Sequence, residues 1–307
     1  MLLRYAFQRL LSAIPTLMVM VFIAFYLVHS APGGPFDTEK VIAPEVRANL
    51  DRLYHLDQPL HKQFIYYLRS IMRGDLGPSF RYRDYSVNDL IAAGFPVSFK
   101  LGAAAMSLAV IIGSLLGMFA ALYRNSVVDN TIQLFSVTGI AIPGFVIAPV
   151  MILLFSIDLK WLPAGGWQIG RWSDWVLPVI ALALPQIAYI ARLMRGSMID
   201  VLNSVYIRAA YAKGLPTSLI LRRHAFKPAF LPVLSYLGPA SAGIITGSVV
   251  IEQIFSIPGI GRYFVQGAIN RDYTLVLGVV VVYGILVIFA NLVVDLLYAW
   301  LDPKVEY

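Results

Sequence analysis

The sequence predicts an all-α membrane protein with six transmembrane helices, and two observations support this prediction. Of its 307 residues, 59% are hydrophobic and only 13% are charged, whereas a soluble domain usually carries about 25% charged residues. The apolar residues also occur in long continuous runs, while the strands of a membrane β-barrel alternate apolar and polar positions. A helix needs about 20 mostly apolar residues to cross roughly 30 Å of hydrocarbon, so we count runs of that length.

Six runs without a charged residue are candidate spans. In order they are Leu10–Val28, Leu101–Tyr123, Ile132–Ile157, Val176–Ala191, Phe230–Ile251 and Leu275–Val294. The first exceeds the core of about 7 to 15 residues that is typical of a signal peptide, so we expect a retained anchor. The fourth is the shortest, but Trp172 and Trp175 stand at its start as interfacial anchors.

Prolines and glycines interrupt several of these runs. Among them are Pro143, Gly144 and Pro149 in the third, Pro178 and Pro185 in the fourth, and Pro232, Gly238 and Pro239 in the fifth. Each proline removes a helical hydrogen bond that lipid cannot replace. The pattern therefore favours a moving or pore-lining bundle over an inert anchor.

The second run carries small residues at every fourth position. They are Ala105, Ala109, Gly113, Gly117 and Ala121. Small residues at this spacing let a neighbouring helix approach closely in lipid. We interpret them as a packing face within the subunit.

Lysine and arginine in the short connections predict the orientation, because positive charge is retained on the cytoplasmic side. With the N-terminus inside, the inner segments hold 11 Lys and Arg residues and the short outer loops hold four. An N-in, C-in topology follows. It divides the chain into an N-terminal transmembrane helix at 1–30, an extracytoplasmic loop or cap at 31–99, and a five-helix core at 100–307 with a cytoplasmic loop at 192–228.

Several function classes are excluded by residues that the sequence lacks. There is no cysteine, and no two of the four histidines stand at i, i+4, so we expect no thiolate chemistry and no metal site. No phosphate-binding Gly-x-x-x-x-Gly-Lys motif occurs. The runs contain no carboxylate for ion coupling, and we expect Glu252 and Asp295, just past two of them, to be interfacial. Nucleic acid is also excluded, because the excess positive charge is an orientation signal.

The inner segment from Arg192 to Pro228 holds seven basic residues and one acidic residue. We predict a helix from about Val205 to Lys213 that stops at Gly214. A second helix, capped by Thr217 or Ser218, is predicted to end at Pro228. Charge alone allows two interpretations, a topology signal or a docking element for a partner.

The stretch Arg208-Ala209-Ala210-x3-Gly214 resembles the Glu-Ala-Ala-x3-Gly loop in permease subunits of binding-protein-dependent ABC importers, with Arg208 in place of the glutamate. Further short motifs extend the resemblance along the chain to the B-type permease subunits of bacterial oligopeptide and dipeptide importers. They are Ala31-Pro32-Gly33, Leu56-Asp57-Gln58-Pro59-Leu60, Arg73-Gly74-Asp75-Leu76-Gly77, Arg195-Gly196-Ser197-Met198, Arg223-His224-Ala225, Ile257-Pro258-Gly259-Ile260-Gly261, Asn270-Arg271-Asp272-Tyr273 and Leu301-Asp302-Pro303-Lys304.

The resemblance implies a type I ABC importer permease fold in the bacterial inner membrane. It implies as partners a second, homologous permease subunit, two ABC ATPases that use ATP and Mg, and an extracytoplasmic peptide-binding protein, with no cofactor on this chain. The ATPase-coupling residues would be Arg208, Ala209, Ala210, Lys213, Gly214, Leu215, Pro216, Arg222, Arg223 and His224. For the peptide path we name Gln186, Tyr189, Gln253 and Asn291.

Two alternatives remain open at the level of sequence. The same kind of importer carries nickel chelates or glycopeptides in related branches that share these motifs. A self-sufficient channel or ion-coupled carrier is the alternative from another class, and it predicts transport by this chain alone.

Overall fold

The structure, a computed structural model, describes residues 2–36, 43–82, 84–168 and 170–301. Within these residues the chain is helical, and the only β-pairing is an isolated bridge between Pro78 and Ser86. Of the Leu301-to-Lys304 motif, positions 302–304 lie outside the described residues. The described part thus agrees with the all-α prediction.

Twelve helices follow one another along the described chain. They are α1 (Leu2–Ser30), α2 (Pro44–Leu53), α3 (Leu60–Met72), α4 (Val87–Leu122), α5 (Val127–Ala141), α6 (Gly144–Met151), α7 (Ser173–Leu202), α8 (Val205–Ala212), α9 (Thr217–Ile220), α10 (Phe226–Ile254), α11 (Ile260–Ile269) and α12 (Tyr273–Leu301). Two π-helical segments, Ile152–Asp158 and Leu221–Ala225, follow α6 and α9. The chain forms two compact units, each discontinuous in sequence.

The first unit comprises Met1–Leu10, Phe99–Ile257 and Val287–Tyr307, and α7 lies at its centre. Helices α7 and α10 run antiparallel, since Gly243 faces Gln186 and Gly247 faces Leu182. On another side of α7, Gly117 of α4 lies against the backbone of α7.

The small residues of the second span are buried within this first unit. Ala105 and Ala109 have no exposed surface, and a Cβ at Gly113 would lie 2.8 Å from Ile190. Their predicted role as an intrasubunit packing face is thereby confirmed.

The third span, counted from the sequence as one run from Ile132 to Ile157, is broken near the proline and glycine that interrupt it. Helices α5 and α6 meet at an angle of 105°. Ile142 is extended, with φ −88° and ψ 119°. Pro143 follows it, and a proline disfavours helical backbone in the residue before it. Because Pro143 also has no N–H to donate, the helix ends there and a new one begins at Gly144.

The broken segment nevertheless crosses the unit. At its start, Asp129 is paired with Arg195 in the last third of α7. After its end, the N–H of Gly166 donates to the carbonyl of Phe255, just past the far end of α10, at 2.8 Å. Since α7 and α10 are antiparallel, these two contacts lie at opposite ends of the helix pair. Counted as one crossing, the broken segment brings the candidate spans to six.

The predicted end of the inner element at Pro228 is wrong. Helical structure runs without interruption from Thr217 to Ile254, through α9, the π-helical segment and α10. Pro228 is the third residue of α10 and lies directly after the π-helical segment, in which the hydrogen bonds run from i to i+5 instead of i to i+4. A proline lacks the N–H of an ordinary helical position, and this change of hydrogen-bond spacing accommodates it. The N-cap of α9 is Pro216, with no side-chain cap, so the predicted capping by Thr217 or Ser218 is also wrong.

The helices extend beyond the uncharged runs, so both flanking carboxylates lie inside them. Glu252 belongs to α10 and is fully buried. Asp295 belongs to α12 and forms an ion pair with Arg9 of α1 at 3.2 Å.

The second unit comprises Leu11–Ser98 and Pro258–Leu286. It holds α2, α3 and α11, and its apolar core consists of Val87, Leu90, Ile91, Ile260, Leu275 and Val279. Tyr82 donates a hydrogen bond to Gln266 of α11. Burial raises the pKa of Tyr82, and the neighbouring Tyr263 raises it further. The phenol therefore stays protonated and can donate this hydrogen bond. The described residues of the segment 31–98 and the segment from Pro258 to α12 therefore belong to one folded body. The predicted division at residues 30 and 99 stays a prediction.

Candidate coupling and translocation site

The element between α7 and α10, which was predicted to be cytoplasmic, is organised around a helix stop at Gly214. The N–H of Gly214 donates to the carbonyl of Tyr211 at 2.9 Å, and that of Leu215 donates to Ala210 at 3.3 Å. This pair of bonds defines the Schellman motif, whose glycine is left-handed. Gly214 has φ +76°, a conformation that costs any residue with a Cβ. The predicted stop at Gly214 is confirmed, and it makes a defined corner.

On both sides of this corner, the element separates apolar from charged residues. Ile207, Ala210 and Ile220 are buried. The predicted coupling residues Arg208, Ala209, Lys213, Gly214, Pro216, Arg222 and Arg223 are exposed, and Leu215 and His224 are half-buried. The element therefore presents a positively charged surface on an apolar base. Of the ten predicted residues, only Ala210 belongs to the base.

The part of the element that follows the corner includes a π-helical segment. Leu221–Ala225 includes Arg222, Arg223 and His224, and such segments are rare and frequently found at functional sites. No break separates this π-helical segment from α10. A displacement of the charged surface would thus be passed directly to the fifth span.

An ion pair fixes the C-terminal part of α7 to α5. Arg195 donates from Nε and Nη2 to the two carboxylate oxygens of Asp129 at 2.6 and 2.7 Å. This pair was not predicted from the sequence, although Ser126-x-x-Asp129 is a helix-start signal. In the structure the N–H of Asp129 does donate to the Ser126 hydroxyl, at 3.4 Å. The partner on α7 is not evident from any local pattern.

The predicted path residues Gln186 and Tyr189 lie together near the middle of α7. The Tyr189 ring stacks on Tyr236 of α10 with centroids 4.3 Å apart, and the Tyr236 hydroxyl donates to Gln186 Oε1 at 2.9 Å. Tyr189 is 41% exposed. Tyr236 was missed because its importance depends on the pairing of α7 with α10.

The other two predicted path residues lie elsewhere. Gln253 is exposed, ten residues and therefore about 15 Å along α10 from Gly243, which faces Gln186. Asn291 donates to the carbonyl of Val287 within α12 at 2.8 Å, and its side chain lies against Gly238 of α10. Asn291 thus packs two helices together.

The exposed face of α10 beside the tyrosine pair differs from the other exposed faces. Its exposed positions recur every three or four residues, and they are Pro232, Ser235, Pro239, Gly243, Thr246, Val250 and Gln253. On α4, by contrast, Ile111, Ile112, Leu115 and Phe119 are exposed, as is appropriate for contact with lipid. A stripe with hydroxyl, amide and glycine positions suits a wet surface better than hydrocarbon. Among the described residues, no cluster of His, Asp and Glu could hold a metal ion.

Comparison with known proteins finds two family matches along the chain. Residues 113–307 match the family described as binding-protein-dependent transport system inner membrane component. Residues 2–102 match the N-terminal region of the membrane components of such systems.

Curated relatives match over the full length. The chain is 54% identical over 306 residues to the oligopeptide transport system permease protein OppB of Salmonella typhimurium strain LT2, with 100% of each chain covered. It is 44% identical over 303 residues to the dipeptide transport system permease protein DppB of Bacillus subtilis strain 168, covering 99% of this chain and 98% of that protein.

Two solved structures share the fold. A chain of the MetNI methionine ABC transporter in inward-facing conformations aligns with a TM-score of 0.56 at 16% identity, covering 69% of this chain and 96% of that one. A chain of an amino acid ABC transporter with histidines aligns with a TM-score of 0.52 at 18% identity, covering 69% and 94%.

Proposed function

Because this chain belongs to the family of binding-protein-dependent transport system inner membrane components, we propose that it is the pore-forming permease subunit of an ATP-driven importer of oligopeptides. The chain is a multi-pass protein of the cytoplasmic membrane, and its relatives are transport subunits. The observation that carries the peptide assignment is identity of 54% and 44% to oligopeptide and dipeptide permeases over essentially the whole length.

The charged element around Gly214 is the surface on which ATPase subunits dock. Its support is geometric, because exposed Arg208, Lys213, Arg222 and Arg223 stand on a buried apolar base. A rigid corner transmits displacement better than a flexible loop does. ATP and Mg are bound by the partner ATPases, and this chain holds no cofactor of its own. The docking surface is cytoplasmic in the N-in, C-in topology.

The peptide path runs along the stripe of α10 and past Tyr189 and Tyr236. Phenol groups, exposed hydroxyls and glycine surface give contacts that any peptide backbone can use, with few side-chain requirements. Selection among peptides is then made by the soluble binding protein. A second, homologous permease subunit supplies the opposite wall.

The outer loops 31–99 and 252–273 face the peptide-binding protein. The support for this role is that hydrogen bonds join the two loops, as between Tyr82 and Gln266. A fixed surface is a better docking partner than two separate connections, because less conformational entropy is lost on binding.

Stimulated ATP hydrolysis tests the proposal. The chain is purified with its co-expressed partners, placed in nanodiscs, and assayed with the binding protein unloaded or loaded with peptide, nickel chelate or glycopeptide. We expect hydrolysis to rise with the peptide-loaded form only. Stimulation only by a nickel chelate or a glycopeptide would overturn the peptide assignment.

A further inference from the structure

The ion pair between Asp129 and Arg195 is more buried and has more hydrogen bonds than a typical surface salt bridge. The Asp129 side chain is 1% exposed and that of Arg195 is 19% exposed. Both oxygens of the carboxylate are engaged by the guanidinium, in the two-pronged geometry that gives such pairs direction as well as strength. Asp129 also accepts the N–H of Asn125 at 2.9 Å, so the pair ties α7 to the turn that precedes α5.

A second contact between α5 and α7 lies about 15 Å further along α5, by helix geometry. A Cβ at Gly139 would lie 2.9 Å from Ala188 Cβ and 3.8 Å from the Leu184 carbonyl oxygen. The α5 backbone is therefore close to α7 here, with no side chain between them. The break at Ile142 and Pro143 follows immediately. Helix α5 is thus fixed to α7 at both of its ends, and the chain bends only beyond the second contact.

The same stretch of α7 joins the docking surface to the path. Helix α7 continues seven residues past Arg195 to Leu202, and α8 begins at Val205. Tyr189 lies one residue from Ala188, at the level of the Gly139 contact. A displacement of α8 must reach Tyr189 through this stretch.

We propose that the Asp129–Arg195 pair is a coupling device that makes α5 and α7 move as one body, so that displacement of α8 by the ATPases is delivered to the broken third span as well as to Tyr189. Apolar contacts in a membrane let helices slide past one another, whereas a bidentate ion pair fixes their register. The inference rests on the proposed function and names Asp129 and Arg195 as its positioning residues.

The first test measures how many peptides are imported for each ATP hydrolysed. The assay uses the reconstituted complex with its partner permease, ATPases and binding protein. We expect Asp129→Asn and Arg195→Gln each to lower this ratio at least ~5-fold, the small end of typical coupling between sites, while ATP hydrolysis continues. The double exchange Asp129→Arg with Arg195→Asp should restore much of the ratio. As a matched control, Asp295→Asn breaks the ion pair of α12 with α1 and should leave the ratio unchanged.

The second test measures a distance and does not depend on transport. Because the chain has no cysteine, Val127→Cys and Asp200→Cys give it two spin-label sites at exposed positions of α5 and α7, and the chain is labelled before its partners are added. In the otherwise unchanged complex, we expect the same distance with and without ATP. With Asp129→Asn, the distance should change between the two states.

Three results distinguish the two proposals. An unchanged ratio in Asp129→Asn, or a label distance that already shifts with ATP in the complex with Asp129 intact, would overturn the coupling device. Failure of the unmodified complex to import peptide would overturn the proposed function, while the label distances would still decide the coupling device.

Discussion

The carboxylate of Asp272 accepts a hydrogen bond from the hydroxyl of Ser79 at 2.5 Å, although 193 residues separate the two. Asp272 also accepts from the N–H of Leu275 in the first turn of α12, at 3.2 Å. It is fully buried. One side chain therefore caps the start of the last helix and fastens the long loop to it.

We predict that Asp272→Ala loosens the second unit. The loss of the helix cap alone costs about 1 kcal/mol, and the hydroxyl of Ser79 and the N–H of Arg81 lose an acceptor. Limited proteolysis of the purified complex should cut the segment 31–99 faster, and stimulation of ATP hydrolysis by the binding protein should fall. The exposed carboxylate of Asp57 is the control, and Asp57→Ala should change neither. Equal protease resistance in both variants would contradict the role of Asp272.

Gly214→Ala is predicted to impair ATPase docking through backbone strain alone. A left-handed conformation costs an alanine about 1 to 2 kcal/mol, and no atom lies within 4 Å of the added methyl group. The free element then relaxes away from the corner, and restoring the corner on docking takes up to this cost from the binding free energy, which is roughly tenfold in affinity. Co-purification of the ATPases from detergent measures it.

Gly196→Ala is the matched control for Gly214→Ala. The added methyl group again has open space, but Gly196 lies inside α7 with ordinary helical backbone. There, alanine is favoured over glycine by up to about 1 kcal/mol. Equal ATPase recovery from both glycine variants would show that the corner at Gly214 is not needed.

Gly117→Ala is predicted to destabilise the first unit by overpacking. The new Cβ would lie 2.7 Å from Met194 Cβ and 2.9 Å from the Arg195 backbone nitrogen, and the α7 backbone cannot yield as a flexible side chain would. Overpacking of this kind costs typically about 1 to 3 kcal/mol. The melting temperature of the purified complex should fall below that of the Gly196→Ala variant. If the Gly117→Ala complex has the same melting temperature as the unmodified complex, the close α4–α7 contact is refuted.

Substitutions of the tyrosine pair are predicted to affect transport without affecting assembly. Tyr189→Ala removes the exposed ring of a stack that is worth about 0.5 to 1.5 kcal/mol, together with a surface that peptide would touch. Tyr236→Phe keeps the ring and removes only the hydrogen bond to Gln186. We expect a several-fold lower rate of peptide uptake for Tyr189→Ala, a smaller loss for Tyr236→Phe, and normal recovery of the ATPases for both. Uptake at the unmodified rate in Tyr189→Ala would place the path elsewhere.

Features encoded by neighbouring residues were predictable from the sequence. Gly214 stops α8 because the required left-handed backbone is a local property of that residue. The spans follow from uncharged length, and the packing face of α4 follows from its four-residue period. Each of these depends on chemistry within one or two helical turns.

Features that depend on distant residues were not predictable. The helix continues through Pro228 because a π-helical segment precedes it. No local sequence pattern indicates that segment. The prolines of the third span indicated a break, but not its angle of 105°. Arg195 contacts Asp129, and Tyr236 contacts Tyr189, only once α5 and α10 have packed on α7.

Peptide uptake into proteoliposomes tests the central claim most directly. Vesicles carry this chain with its partner permease and ATPases, ATP is enclosed on the ATPase side, and labelled peptide is supplied outside with the binding protein. Matched vesicles carry this chain alone. We predict ATP-dependent peptide accumulation in the complete vesicles and none in the matched vesicles. Accumulation by the chain alone, or none in complete vesicles that accumulate another cargo, would contradict the account.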